Sequence, residues 1–141
     1  MFGMPTEQPM YTILTVDDSP TIRRMVRASL SALPDTTFYE AASGLEAIET
    51  LAVSSVQLVI LDLNMPDMHG LDVLRFVRSH EQYKNVPVMI LTTRGDEDSR
   101  GDALRAGASA YMTKPFSPAT LTESVRELLG RGDTRNVGAD A

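Results

Sequence analysis

The sequence predicts an α/β fold, a doubly wound open parallel sheet of five strands with a helix after each, (βα)5. Three observations predict it. Short β-rich runs alternate five times with stretches whose apolar residues recur at helical spacing. Two of the runs, residues 57–61 and 86–91, are almost continuously apolar, as expected of strands buried on both faces. The helical stretches are long enough for the right-handed crossovers that join parallel strands.

The elements follow in order. Tyr11–Val16 is a β-rich run that ends on two acids. Ser19-Pro20 reads as an N-cap and a proline at the first helical position, where its missing N–H costs nothing. Ile22, Met25, Val26, Leu30 and Leu33 then recur at helical spacing, and Pro34-Asp35 breaks the helix. Residues 36–40 read as a strand, and Gly44–Val53 as a helix with Ala47, Ile48, Leu51 and Ala52 inward. After the strand at 57–61 comes a loop, Asn64-Met65-Pro66-Asp67, then a helix over Gly70–Ser79 with Leu71, Leu74 and Val77 on one face. Residues 86–91 are the fourth strand despite Pro87 near its start. The fourth helix, 97–106, is the weakest. Gly101 lies inside it, at a cost of about 1 kcal/mol relative to alanine, and its main apolar residues are Ala103 and Leu104. Residues 109–112 form the last strand, and Ser117-Pro118 opens a final helix with Leu121, Val125, Leu128 and Leu129 inward. The methionines read mostly as packing residues.

Residues 1–9 form a loose lead, 10–130 the domain and 131–141 a flexible polar tail, whose Arg131-Gly132-Asp133 is a chance tripeptide. A chain of 141 residues, 43% hydrophobic and 23% charged, makes one globular domain with a real core. Its net charge of -6 argues against non-specific nucleic-acid binding and against a basic membrane patch. The absence of cysteine excludes disulfides and thiolate metal sites, and fits a cytoplasmic location. The opening MFGMPTEQPM has no basic or apolar signal region. No stretch reaches the roughly 18 apolar residues of a membrane span, so no membrane insertion is expected.

The chemistry gathers at strand ends. Asp17 and Asp18 follow the first strand, Asp62 the third, Thr92 the fourth, and Lys114-Pro115 the fifth. Parallel sheets of this kind bind ligands beyond the carboxyl ends of their strands. Three carboxylates, a hydroxyl and an ammonium there suit a divalent metal and a phosphoryl group placed on a carboxylate. Two carboxylates about 4 Å apart repel by roughly 4 kcal/mol at an effective dielectric near 20. A divalent cation reverses that field; without one, repulsion is expected to raise at least one of the three carboxylate pKa values. Taken singly, these residues have ordinary roles: Asp17-Asp18 cap a helix, Thr92 ends a strand, Lys114 is solvated and Tyr111 fills core. His69 and His80 lack a third ligand for zinc. The joint placement is what points to a site.

This arrangement resembles the receiver domain of two-component response regulators, most of all the stand-alone, chemotaxis-type (CheY-like) receivers. The match rests on Asp17-Asp18 in TVDDSP, Asp62 in LDLNMPDMHG, Thr92 in ILTT, Tyr111 in GASAYM and Lys114-Pro115-Phe116, over roughly residues 11–130. The spacings fit as well: 45 residues from Asp17 to Asp62, 30 on to Thr92 and 22 more to Lys114. The resemblance implies a flavodoxin-like strand order, 2-1-3-4-5, of which a chemotaxis receiver is itself a standard example. It implies Asp62 as phosphoacceptor and a metal site of Asp17, Asp18, Asp62 and the Asn64 backbone carbonyl, holding Mg2+ or Mn2+. Lys114 and Thr92 would contact the phosphoryl group, and Tyr111 would report its arrival. The implied partners are a histidine kinase, an output protein such as the flagellar motor or another effector, and a phosphatase or histidine phosphotransfer protein. The output protein would bind the face built from the fourth helix (α4), fifth strand (β5) and fifth helix (α5).

Some positions depart from the family pattern. Thr93 is bulkier than the small residue usual there, and Arg94 stands where the best-known chemotaxis receivers carry an acid; the resemblance implies that these positions, with Asn64, would tune the phosphate's lifetime. The last helix offers Thr122, Glu123, Ser124 and Arg126 in place of lysines. An alternative within the class is a phosphorelay carrier that hands its phosphate to a histidine phosphotransfer protein. A magnesium-dependent phosphatase with an aspartyl nucleophile typically carries a second acid two residues on, where this chain has Asn64. A nucleotide- or flavin-binding module lacks its glycine-rich loop after the first strand. The chain is therefore expected to be a signalling phosphoacceptor, not an enzyme acting on other substrates.

Overall fold

The computed structural model describes residues 10–132. Strands and helices alternate as β1 (Tyr11–Val16), α1 (Pro20–Ser29), β2 (Thr36–Ala41), α2 (Gly44–Val53) and β3 (Leu58–Leu61), then α3 (Gly70–Ser79), β4 (Val88–Thr92), α4 (Glu97–Arg105), β5 (Ala110–Thr113) and α5 (Pro118–Gly132). The strands make one sheet, ordered β2-β1-β3-β4-β5, with every neighbouring pair parallel. This is the expected flavodoxin-like (βα)5 fold. The chain steps outward from β1 to β2, then crosses to β3 on the other side, so the crevice between β1 and β3 is the topological switch point.

Side chains alternate across the sheet with period two and divide the core into two layers. Leu14, Val16, Val59, Leu61, Val88 and Ile90 face α2, α3 and α4, packing with Leu51, Leu74, Val77 and Ala103. Ile13, Leu58, Ile60, Met89 and Leu91 face α1 and α5, packing with Val26, Leu30, Leu121, Val125 and Leu128. Consecutive residues of β3 and β4 thus point to opposite helical layers, which is why those runs show no alternation of apolar and polar residues.

Several expectations shift. α1 ends at Ser29, well before Pro34, because Leu30 caps it and turns the chain. Met25 is 44% exposed, lying off the buried stripe of Val26 and Leu30. Ala52 is also exposed, beside the buried Leu51. Most methionines are packing residues, as expected: among the described residues Met89 is fully buried and Met65, Met68 and Met112 pack against the core, whereas Met10 and Met25 are exposed. β3 starts one residue late because the Gln57 side chain accepts the Thr12 N–H at 2.7 Å. β4 starts at Val88, since the Val86 N–H turns back to the Tyr83 carbonyl at 2.9 Å. β5 moves one residue on, to Ala110–Thr113, and its neighbour Ser109 bonds Val88 through both backbone and side chain. The α5 backbone continues through Gly132; the lead at 1–9 and the rest of the tail lie outside the described residues. Among the described residues no helix is long and apolar enough to cross a membrane.

Candidate functional site

The parallel register brings the acids together. Val16 pairs with Leu61, so Asp17 and Asp62 emerge side by side from β1 and β3. The Asp62 N–H donates to the Val16 carbonyl at 3.0 Å, and the Asp17 N–H to the Ala41 carbonyl at 3.0 Å. Both acids are buried, at 2% exposure for Asp17 and 4% for Asp62, while Asp18 lies exposed at the rim. One carboxylate oxygen from each of Asp17, Asp18 and Asp62 lies within 4.8 Å of the other two.

Lys114, just past β5, reaches into this cluster. Its Nζ donates to Asp17 Oδ2 at 2.8 Å and stands 3.6 Å from Asp62 Oδ2. Its backbone is anchored beside the site, where the Lys114 N–H donates to the Thr92 carbonyl at 2.8 Å. Asp17 is also tied from its own side, with Oδ1 accepting the Ser19 N–H at 2.9 Å. Arg23 donates to the Asp17 carbonyl at 2.6 Å and pairs with Glu40 at 2.9 Å.

Asp62 is different. Its Oδ1 is buried with no hydrogen-bond partner among the described residues, a rare condition for a buried polar atom. The Asn64 N–H and Thr92 hydroxyl lie close enough to influence it without meeting hydrogen-bond geometry to Oδ1. Its carboxyl is held above the ordinary value of 3.8. Burial is the largest cause, opposed first by the charge of Lys114 and reinforced by Asp17. The expected rise is present, but desolvation outweighs the repulsion that predicted it.

Thr92 is fully buried at the end of β4. Its hydroxyl oxygen accepts two long contacts, from Asn64 Nδ2 at 3.5 Å and the Arg94 N–H at 3.4 Å. Beyond it the chain is exposed through Thr93, Arg94, Gly95 and Asp96, with Arg94 paired to Asp96 at 3.6 Å. Tyr111, half-buried on β5, donates its hydroxyl to the Arg94 carbonyl, and Arg100 of α4 lies over its ring. The structure therefore brings Asp17, Asp18, Asp62 and Lys114 into one cluster with Thr92 and Asn64 at its edge. Tyr111, Arg94 and Arg100 form a second group beside it.

Three positioning residues escape sequence reasoning. Asp67 reaches across to accept the Gly44 and Leu45 N–H groups of α2, both at 3.1 Å, and these bonds hold its carboxyl below the ordinary range. His69 caps α3 by accepting the Leu71 N–H on Nδ1 at 3.1 Å. Gly70 packs so tightly behind the acceptor that a Cβ there would sit 2.4 Å from the Asp62 carbonyl oxygen and 2.7 Å from Leu63 Cα. The histidine-glycine pair before an apolar helical stripe carries a signal for such a cap; the reach of Asp67 is a tertiary contact with none.

An oxygen-only donor set with an unpartnered buried carboxylate oxygen fits a hard divalent cation such as magnesium or manganese. A family model, the response regulator receiver domain, matches residues 13–126. The chain is 41% identical over 122 residues to chemotaxis protein CheY1 of Helicobacter pylori, covering 86% of this chain and 98% of that protein. The structure of chemotaxis response regulator CheY4 of Vibrio cholerae superposes with a TM-score of 0.78 at 33% identity, covering 85% of this chain and 99% of that one. The Mn(2+)-bound form of response regulator Rcp1 matches with a TM-score of 0.72 at 28% identity, over 84% of this chain and 91% of that one. By sequence, fold and the joint placement of its acids, the chain belongs to the response regulator receiver domain family of two-component signalling proteins.

Proposed function

We propose that this protein is a phosphoacceptor of a two-component phosphorelay. A histidine kinase supplies the phosphoryl group, Asp62 receives it, and the face formed by α4, β5 and α5 carries the change to an output partner. The observation that carries this reading is the buried Asp62 carboxylate, with Oδ1 unpartnered and Lys114 Nζ 3.6 Å from Oδ2. Burial disfavours the ionised nucleophile, and the Lys114 charge works against that effect. As a carboxylate oxygen of Asp62 bonds to phosphorus, the P–N bond of the donor breaks and the electron pair leaves with the imidazole. Lys114 then faces the added negative charge, and the Thr92 hydroxyl is free to donate to a phosphoryl oxygen.

Asp17, Asp18, Asp62 and the Asn64 carbonyl are the residues that would hold Mg2+, or Mn2+ as in the Rcp1 structure. When bound, the cation supplies charge neutralisation for the carboxylates and phosphoryl oxygens. Tyr111 reads the state of Thr92 through the exposed β4–α4 turn, and Asn64, Thr93 and Arg94 at the rim set the phosphate's lifetime. The chemotaxis names of the relatives support a cytoplasmic role in chemotaxis or motility, with the flagellar motor or another effector as target. A phosphatase or a histidine phosphotransfer protein would remove the phosphate. The test is incubation with a small acyl-phosphate donor, with and without magnesium, read by intact mass. One added phosphoryl group, dependent on magnesium and lost in Asp62→Asn, supports the reading; labelling that survives in Asp62→Asn sinks it.

A further inference from the structure

We infer that Arg100 is a positioning residue for Tyr111: its guanidinium clamps the ring in the orientation in which the hydroxyl bonds the Arg94 carbonyl. Arg100 Cζ lies 5.5 Å from the centroid of the Tyr111 ring, within the range of a cation–π contact. The hydroxyl end of the same ring is held by the Arg94 carbonyl. The ring is therefore fixed at two points, one on the turn after β4 and one on the second turn of α4.

The contact is selective. Asp96 and Glu97 stand four and three residues before Arg100, at the helical spacing that suits an ion pair. Arg105 makes such a pair with Asp102 at 2.6 Å, and Arg75 with Asp72 at 3.3 Å. Arg100 instead lies over the aromatic ring, with no carboxylate within ion-pair distance among the described residues. Asp96 is already engaged as the α4 N-cap, accepting the Ser99 N–H at 2.9 Å, and in its pair with Arg94. α4 has few other fastenings: Ala103 is its one buried residue and Gly101 lies inside it. A cation on the ring is thus a side-chain link between α4 and β5 beside the packing of Ala103.

The consequence follows by linkage. Arg100 favours whichever signalling state holds Tyr111 in this orientation, by a ratio of about two- to fivefold for an exposed contact. That consequence rests on the receiver reading above; the clamp itself does not. Because Arg100 is exposed on the proposed output face, an acidic partner group that drew the guanidinium away would release the ring.

The experiment measures the Tyr111 χ1 couplings by NMR in unphosphorylated protein, comparing wild type with Arg100→Lys and Arg100→Met. Wild type and the lysine variant should show one dominant rotamer. The methionine variant, which keeps much of the length and apolar stem but no charge, should show averaged couplings and a minor rotamer raised about two- to fivefold. Thermal melting confirms that each variant is folded. Couplings in Arg100→Met that match wild type would overturn the clamp, as would averaging already complete in wild type. A parallel acyl-phosphate labelling of wild type at Asp62 separates the two claims: loss of labelling removes the receiver reading, whereas the couplings decide the clamp.

Discussion

Two loops frame the acidic cluster, and they are built in opposite ways. The loop from Leu63 to His69, after the acceptor strand β3, is fastened at each end. Gly70 leaves no room for a Cβ beside the Asp62 carbonyl, its N–H donates to the Leu63 carbonyl at 2.9 Å, His69 caps α3, and Asp67 accepts from the first N–H groups of α2. α3 behind it buries Val73, Leu74 and Val77. The turn from Thr93 to Asp96, after β4, is exposed throughout and leads into a helix with one buried residue and Leu104 46% exposed. The lesson concerns division of labour: phosphoryl transfer needs fixed geometry where the bond forms, whereas a reporter needs two states close in energy. The sequence supplies each by where it places apolar side chains and glycines.

The sharpest way to break this contrast is to add one methyl group to each side. Gly70→Ala should destabilise by about 3 kcal/mol, because its Cβ meets backbone that cannot move without displacing Asp62. Gly101→Ala should stabilise by about 0.5–1 kcal/mol, because its Cβ meets only the exposed end of Arg105, at 3.2 Å. Urea unfolding measures both. Equal effects of one sign would dissolve the distinction between the two loops.

Most of the fold was legible because the helical stripes and the buried strand runs are strong signals. The α5 stripe of Leu121, Val125 and Leu128 and the continuously apolar runs of β3 and β4 call for a helical layer on each face of the sheet. Less legible was whatever depends on contact between distant segments. Met25 and Ala52 fit a helical period yet face solvent, because the core stripe is narrower than the run of apolar letters. Asp67 reads as a loop acid until α2 stands opposite it, and Gly70 reads as a helix start until β3 is seen behind it. Asp17, Asp62, Thr92 and Lys114 were legible because each lies at or just past a strand's end, whereas the magnitude of burial around Asp62 is a property of the assembled sheet.

Next in size is the metal. Magnesium at ten times its Kd should stabilise the protein by roughly 1.4 kcal/mol through mass action. Asp62→Asn, which removes a buried charge, should melt higher than wild type in chelator and gain less from magnesium. Coincident melting of wild type in chelator and in magnesium would count against the cation site.

The pH dependence in chelator is smaller and has a definite sign. The folded-state pKa of Asp62 is raised above the ordinary value of 3.8, so its stabilising contribution is complete below that value and is lost as pH rises through the raised one. Wild type minus Asp62→Asn should therefore lose stability from about pH 4 upward. Asp67 acts oppositely: its lowered pKa gives a contribution present above the ordinary value and lost as pH falls through the folded one. A difference curve for Asp62→Asn that is flat or rises with pH would contradict the assignment.

The central claim is that a rigid acceptor loop drives a loose reporter segment through Thr92, and amide hydrogen exchange before and after acyl-phosphate labelling tests it most directly. Before labelling, amides of 94–106 should exchange about tenfold or more faster than those of 70–79. On labelling in magnesium, exchange should slow across 94–106 while 70–79 changes little. Thr92→Ala should accept the phosphoryl group but lose that slowing, and Asp62→Asn should show neither. Uniform slowing of both segments, or an unchanged response in Thr92→Ala, would contradict the account.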